Sequence, residues 1–442
     1  MRTPICDMVT RYAESQTVRA HMPGHKGKGE AERLDITEIT GADSLYEASG
    51  IIAESEQYAG QIFGADTFYS TEGSSLCIRA MMSLCAKYSG EERPLVLAGR
   101  NAHKTFLSAV ALLDMDVEWL MPKSTDGYLS CSVLSEDVRT AIDTSPRPVA
   151  AVYLTSPDYL GSICDIERIA KVCHERGVIL AVDNAHGAYL KFLDISRHPI
   201  DLGADICCDS AHKTLRALTG AAYLHVSKNA PDFFAENAKD AMAMFGSTSP
   251  SYLILQSLDR LNPYLADGYR DELKDCIMRI SAIKERLAFF GYTLIGNEPL
   301  KLSVLAKEYG YTGTDMARVL EENGIFCEFC DGDNLVLMLS PNNGEEDMQR
   351  IESVLLSIPR KEKIESAQPE YTKPQRAMSV RKAMLSRSEV LPVDRCLGRI
   401  LASPTVSCPP AVPILVSGEV IDGDAINRFE YYGIEKCSVV VE

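Results

Sequence analysis

From about Phe63 to Ser227 the chain alternates short, unbroken apolar runs with amphipathic stretches, and this alternation constrains the fold more than any other feature. PLVLAG (94–99), VAAVYLTS (149–156), VILAVDNAHG (178–187), ADICCDSAHK (204–213) and GAAYLHVS (220–227) read as strands. LCIRAMMSLCAKYSG (76–90) and IERIAKVCHERG (166–177) carry apolar residues at helical spacing, and Gly177 stands where a C-terminal cap belongs. Strand and helix in regular succession, with strands apolar throughout, predict a mostly parallel sheet covered on both faces. Ligands of such sheets gather at the carboxyl ends of the strands. The polar residues that follow VILAV and ADICC fall there.

The rest of the chain is organised differently. A Ser/Thr/Pro break, GSTSPS (246–251), precedes a long helical region and then a smaller α+β unit that ends near Pro359. RKEKIESAQPEYTKPQR (360–376) is charged and poor in apolar residues, the mark of a linker. Beyond it, PPAVPILVSGEVID (409–422) predicts one strand bracketed by Pro and Gly. The expected organisation is an N-terminal segment (1–30), a large α/β domain (31–245), a small α+β domain (246–359), the linker (360–376) and an appended domain (377–442).

Charge narrows the function. With 45 Lys and Arg against 62 Asp and Glu, the 442 residues carry a net charge of −17. The average field repels phosphate, which argues against nucleic acid and anionic membranes as partners. No apolar run reaches the ~18 residues a bilayer span needs, and MRTPICDMVTRYAES lacks the pattern of a signal peptide. The expected compartment is the cytoplasm, with the 14 cysteines as reduced thiols. One C-x-x-C occurs, Cys327-Glu-Phe-Cys330, with no second pair at zinc-finger spacing, so no metal site is expected. Its surroundings, GIFCEFCDGDNLVLMLS, predict two short strands about an Asp-Gly-Asp turn.

Four constellations carry chemistry. Lys213 follows an apolar strand within Ser210-Ala211-His212-Lys213-Thr214, and desolvation there makes an amine a usable nucleophile for Schiff-base chemistry. Asp183, in Asp183-Asn184-Ala185-His186-Gly187, ends another apolar strand, where a carboxylate either caps a helix or pairs with a pyridinium nitrogen. Thr71-Glu72-Gly73-Ser74-Ser75 opens a helix, a place for either an ordinary cap or a phosphate held by hydroxyls and backbone amides. His103, in Arg100-Asn101-Ala102-His103-Lys104-Thr105, follows PLVLAG, where an imidazole can stack on an aromatic ring. Their order and type fit one cofactor, pyridoxal 5'-phosphate.

Ser-x-His-Lys-Thr preceded by Asp-x-Ala-His-Gly resembles the Orn/Lys/Arg decarboxylase family of fold-type-I pyridoxal-phosphate enzymes, and most of all its short bacterial members. HMPGHKGKG (21–29), RNAHKT, TSPDYLG, GSTSPSY and PPAVPILVSGE are similar to further family blocks, so the likeness runs along nearly the whole chain. The resemblance implies an aspartate-aminotransferase-like large domain with a mostly parallel seven-stranded sheet, a small α+β domain and a C-terminal appended domain. It implies that Lys213 forms the Schiff base with the cofactor, Asp183 binds the ring nitrogen and His103 stacks on the ring. Gly73, Ser74, Ser75, Ser210 and His212 would surround the phosphate, Ala185 would pack behind the ring, and His186 would line the site. Ser247 and Thr248 would reach the phosphate of a neighbouring subunit, which makes the expected state a homodimer with shared sites.

The implied activity is α-decarboxylation of a basic amino acid, with arginine slightly ahead of lysine and ornithine, feeding polyamine metabolism. Asp43, Glu47, Glu328, Asp331 and Glu419 are the carboxylates that could read the substrate side chain. The family commonly carries Glu where this chain has Asn184, and Gln where it has Gly220. Competing readings are another pyridoxal-phosphate reaction on the same scaffold, such as transamination, and a non-catalytic regulatory paralogue. A dinucleotide-binding domain is a third, and it lacks any G-x-G-x-x-G after the first strand.

Overall fold

The protein is described by a computed structural model covering residues 1–15, 17–122, 127–365, 368–369, 372–404 and 410–441. Ser366, Ala367, Glu370 and Tyr371 of the expected linker, and Pro409 and Cys408 of the tail, lie outside the described residues. Seven strands, β1 (Ala65–Ser70), β2 (Leu95–Gly99), β3 (Asp116–Leu120), β4 (Val149–Thr155), β5 (Ile179–Asp183), β6 (Ile206–Asp209) and β7 (Ala222–Ser227), form one sheet in the order β1-β7-β6-β5-β4-β2-β3. β2 runs parallel to β3 and β5 parallel to β6, while β7 is antiparallel to both its neighbours, β6 and β1. The expected α/β class with a mostly parallel seven-stranded sheet is therefore what the chain adopts. Every residue of β2, β5, β6 and β7 is buried, the burial on two faces that their largely apolar sequences call for.

Contacts divide the chain into two compact units. The first comprises Met1–Glu92, Ala150–Tyr153 and Ile166–Asp271. Its helices include α1 (Pro4–Glu14), α2 (Ile51–Phe63) and α3 (Gly73–Ser89). α1, α2 and the helix Tyr252–Ala266 meet around a buried polar knot, in which Asp259 accepts the Cys6 amide at 2.9 Å and the Ser55 hydroxyl at 2.6 Å. The helix Ile166–His174 is followed by Gly177 in the left-handed region (φ 66°), where the cap was expected.

The second unit comprises Arg93–Val149, Leu154–Asp165 and Glu272–Glu442. It holds α4 (Lys104–Leu112), a four-stranded sheet ordered β10-β11-β9-β8, and a three-stranded sheet ordered β12-β14-β13. In the first of these, β8 is Leu294–Ile295, β9 Lys301–Leu305, β10 Phe329–Cys330 and β11 Asn334–Met338. β10 and β11 pair antiparallel about the Asp-Gly-Asp turn, as the sequence predicts. In the other sheet β12 is Ser388–Pro392, β13 Leu401–Ser403 and β14 Lys436–Val440.

The strand predicted within residues 409–422 is absent from the described part of that segment, which forms only isolated bridges at Glu419 and Val420. Pro410 and Pro413 have no N–H to give a ladder, and the carbonyls of Pro413 and Ile414 are taken by the Arg100 guanidinium. The described cysteines are all free thiols. Among the described residues no helix is long and apolar enough to cross a membrane.

Candidate active site

The ends of β5 and β6 carry the first unit's chemistry. Parallel register sets Asp183 opposite Cys208, so the two strands finish together and their following turns lie side by side. From the β6 turn, Lys213 brings its Nζ within 2.9 Å of His186 Nε2, which comes from the β5 turn. Asp183 is buried and accepts hydrogen bonds from the Tyr153 hydroxyl at 3.1 Å and the Ala185 amide at 3.2 Å. A longer contact of 3.7 Å comes from the Cys208 thiol. Burial pushes the Asp183 carboxyl above its usual range, against the pull of the Lys213 charge and these donors. Such a carboxylate gains from any cationic donor brought against it, the requirement for pairing with a pyridinium nitrogen.

The helix start expected to hold phosphate is assembled as a cup. Ser210 donates its hydroxyl to Ser74 Oγ at 2.9 Å, joining the β6 turn to the first turn of α3. The Gly73 amide donates to the Gly220 carbonyl at 2.8 Å. Gly220 adopts φ 96°, and a Cβ there would lie 2.9 Å from the Thr71 carbonyl oxygen, so the Gln of the family pattern has no room at this position. Ser75 follows Ser74 in the same turn, half-buried. His212 Nδ1 donates to the Ala221 carbonyl at 2.9 Å, and burial, with the neighbouring Lys213 charge, holds its pKa below the ordinary value. Ser247 and Thr248 are exposed, and the Ser247 amide donates to Glu72 at 2.6 Å. Two hydroxyls at the N-terminus of a 17-residue helix form a donor set suited to a phosphate.

Asn184 and Asp209 belong to a second cluster, hidden beneath the first. Asp209 accepts from Asn184 Nδ2 at 2.6 Å, His198 Nε2 at 3.0 Å and His225 Nε2 at 3.2 Å. Thr67 meets the other nitrogen of His225 at 2.9 Å. The His198, Cys207 and Asp209 ligand-type atoms all lie within 4.8 Å of one another, and these hydrogen bonds account for the Asp209 carboxylate. Burial raises and the two imidazoles lower the Asp209 pKa, and the imidazoles prevail. Sequence reasoning missed this cluster and Tyr153. Tyr153 left one trace, a phenol hydroxyl amid the apolar residues of its strand.

His103 stands in the second unit as the N-cap of α4. Its Nδ1 accepts from the Thr105 amide at 3.1 Å and lies 2.9 Å from the Thr105 hydroxyl. Because Nδ1 accepts, the proton of the neutral ring sits on Nε2. In the same unit Arg100 and Glu419 form a buried ion pair at 3.0 Å. Breaking such a pair by removing one partner costs about 3–5 kcal/mol.

That pair removes Glu419 from the carboxylates able to read a substrate. Asp43 is likewise engaged, accepting the amides of Ser44, Ser49, Gly50 and Ile52 at the start of α2. Asp331 accepts those of Asp333 and Asn334 in the β10–β11 turn. Glu328 accepts the Tyr159 hydroxyl at 2.8 Å, and Glu47 is exposed.

Comparison with known proteins agrees with this geometry. The profile of the Orn/Lys/Arg decarboxylase major domain matches residues 3–295, and that of the family's C-terminal domain matches residues 360–435. An arginine decarboxylase of Halalkalibacterium halodurans is 30% identical, covering 95% of this chain and 91% of its own length. One from Bacillus subtilis is 28% identical, covering 96% and 92%. The solved structure of a lysine decarboxylase from Francisella novicida superposes with a TM-score of 0.80 at 16% identity, covering 99% of this chain and 81% of that one. With both domain profiles matched in order along the chain, this protein belongs to the Orn/Lys/Arg decarboxylase family.

Proposed function

We propose that this chain is a pyridoxal-phosphate-dependent α-decarboxylase that converts a basic amino acid, arginine before lysine or ornithine, to its amine and carbon dioxide. The observation that carries the reading is the pairing of Lys213 with His186 beside the buried Asp183, whose carboxyl burial pushes up, next to a phosphate-type cup. The donor set fits the cofactor: Lys213 for its aldehyde, Asp183 for its ring nitrogen, Gly73, Ser74, Ser75, Ser210 and His212 for its phosphate. His103 would cover the ring face, Ala185 would lie behind it, and His186 would line the substrate space. When bound, pyridoxal phosphate supplies an electron sink for the pair left on Cα as carbon dioxide departs.

The chain's own residues do the rest. Asp183, held by Tyr153 and the Ala185 amide, keeps a negative charge fixed at one end of the site. Lys213 is favoured over His212 as the group that returns a proton to Cα. His212 has its Nδ1 hydrogen committed to the Ala221 carbonyl, and its lowered pKa leaves it neutral at pH 7. His186, 2.9 Å from Lys213 Nζ, orients that amine and can exchange a proton with it.

Arginine is preferred because several relatives that match more than nine-tenths of this chain, those of Halalkalibacterium halodurans and Bacillus subtilis among them, bear the name arginine decarboxylase. We further propose a cytoplasmic homodimer, with the exposed Ser247 and Thr248 facing the neighbouring subunit's phosphate site. Incubation of the purified protein with arginine, lysine and ornithine tests the reading. Carbon dioxide and amine in equal amounts support it. Formation of a keto acid without carbon dioxide replaces it with transamination, and inertness toward all three, despite bound cofactor, replaces it with a regulatory role.

A further inference from the structure

His103 sits between two anchors, and both are made by the C-terminal segment. Three residues before it, Arg100 is buried, pairs with Glu419 at 3.0 Å and donates to the carbonyls of Pro413 and Ile414 at 3.2 and 3.3 Å. Its guanidinium also lies over the Trp119 ring, 5.2 Å from the centroid. One residue after His103, the Lys104 amide donates to the Ala411 carbonyl at 2.8 Å. Ala411 holds a left-handed backbone (φ 55°), a conformation that persists in a non-glycine residue only when its surroundings impose it. Glu419 in turn accepts the Val416 amide at 2.8 Å, which fixes the 411–419 segment as a loop closed on itself. The far end of α4 is held as well, since Arg381 donates to the carbonyls of Ala111 and Leu112 at 2.7 and 3.2 Å.

We infer that Glu419 is a positioning residue that acts through Arg100 to hold His103 in the orientation required for cofactor binding, and that this is a role of the C-terminal domain. The inference rests on the proposal that His103 covers the cofactor ring. The pair has a geometric reason to be ionic. A guanidinium fork can hold one carboxylate and two carbonyls at once, a set that a lysine's single ammonium does not reproduce. Thr105 fixes the Nδ1 side of the His103 ring. The grips on residues 100 and 104, on either side of it, hold the loop that carries it.

The test is titration of cofactor-stripped protein with pyridoxal phosphate, followed by protein fluorescence, on the wild type, Glu419→Gln, His103→Ala and the double variant. Glu419→Gln is expected to weaken cofactor affinity about tenfold, and to add nothing once His103 is Ala, because coupled residues are non-additive. Wild-type affinity in Glu419→Gln, or the same tenfold loss on top of His103→Ala, overturns the inference. If Glu419→Gln fails to fold, Arg100→Met/Glu419→Met replaces it. That variant removes both charges at similar volume, a change that buried pairs often tolerate, and the same two outcomes apply. Absence of cofactor binding by the wild type would instead overturn the cofactor reading, a result visible in the first titration.

Discussion

Two buried aspartates end neighbouring strands of one sheet, and their surroundings shift their carboxyls in opposite directions. Asp209, at the end of β6, receives three side-chain donors, and the imidazoles of His198 and His225 hold its carboxyl well below the usual range. Asp183, at the end of β5, receives one hydroxyl, one amide and a distant thiol, and burial lifts it above that range. Both lie in the same kind of place and differ in the kind of partner each is given, two imidazoles for Asp209 against a hydroxyl, an amide and a thiol for Asp183. A carboxylate that serves the fold is given its partners by the fold. On the proposed reading, Asp183 is instead a carboxylate whose strongest cationic partner a ligand would supply, and an upward-shifted pKa fits that role.

The contrast can be broken in several ways. The largest effect belongs to Lys213→Ala, which is expected to lower turnover by roughly a thousandfold or more and remove the visible absorbance of bound cofactor. Near-wild-type turnover in that variant would end the whole reading. Next come the aspartates themselves. Asp183→Asn is expected to lose roughly 10²- to 10³-fold in rate while raising the unfolding midpoint of the cofactor-free protein at neutral pH. Asp209→Asn is expected to cost about 3–5 kcal/mol of stability, while turnover per folded molecule stays within about tenfold. Denaturant unfolding and rates measured side by side decide the matter, and shifts of the same sign in both variants would erase the distinction.

The pH dependence of stability separates the two aspartates more gently. With a depressed folded pKa, Asp209 contributes stability that is present above its unfolded pKa of about 3.9 and lost as pH falls. His225, whose folded pKa is lowered by burial, adds a loss that begins as pH drops through about 6.5, where the unfolded chain takes up a proton that the native state refuses. Asp183 works the other way, because its raised folded pKa makes the native state lose stability as pH rises through that pKa. In the cofactor-free protein, Asp183→Asn should abolish that decline and leave the acid limb unchanged, which unfolding curves from pH 3 to 8 would register. The smallest effect is expected from Ser74→Ala, about two- to tenfold weaker cofactor binding, since the helix terminus and Ser210 remain.

What could be read from the sequence follows the range of the interactions. Five of the seven strands were legible because their burial is written in their own residues, while β1 and β3, partly exposed, were not; Asp183 and Lys213 could be picked out because they stand where apolar runs stop. The β10–β11 hairpin was legible for the same local reason. Asp209 was not, because its meaning comes from His198, His225 and, through the latter, Thr67, which is 158 residues from its imidazole partner. Glu419 was read as a candidate for the substrate's side chain, and its partner, Arg100, lies 319 residues away. The strand expected in 409–422 failed on a similar point, since an apolar segment between prolines spends its carbonyls on a distant guanidinium instead of a ladder.

The bond from the Gly73 amide to the Gly220 carbonyl spans two loops that the chain keeps nearly 150 residues apart. The start of α3 and the turn that carries Lys213 are thereby tied together across that separation. On the proposed reading, cofactor entry would find the phosphate donors already gathered beside the amine, with no two distant segments left to draw together.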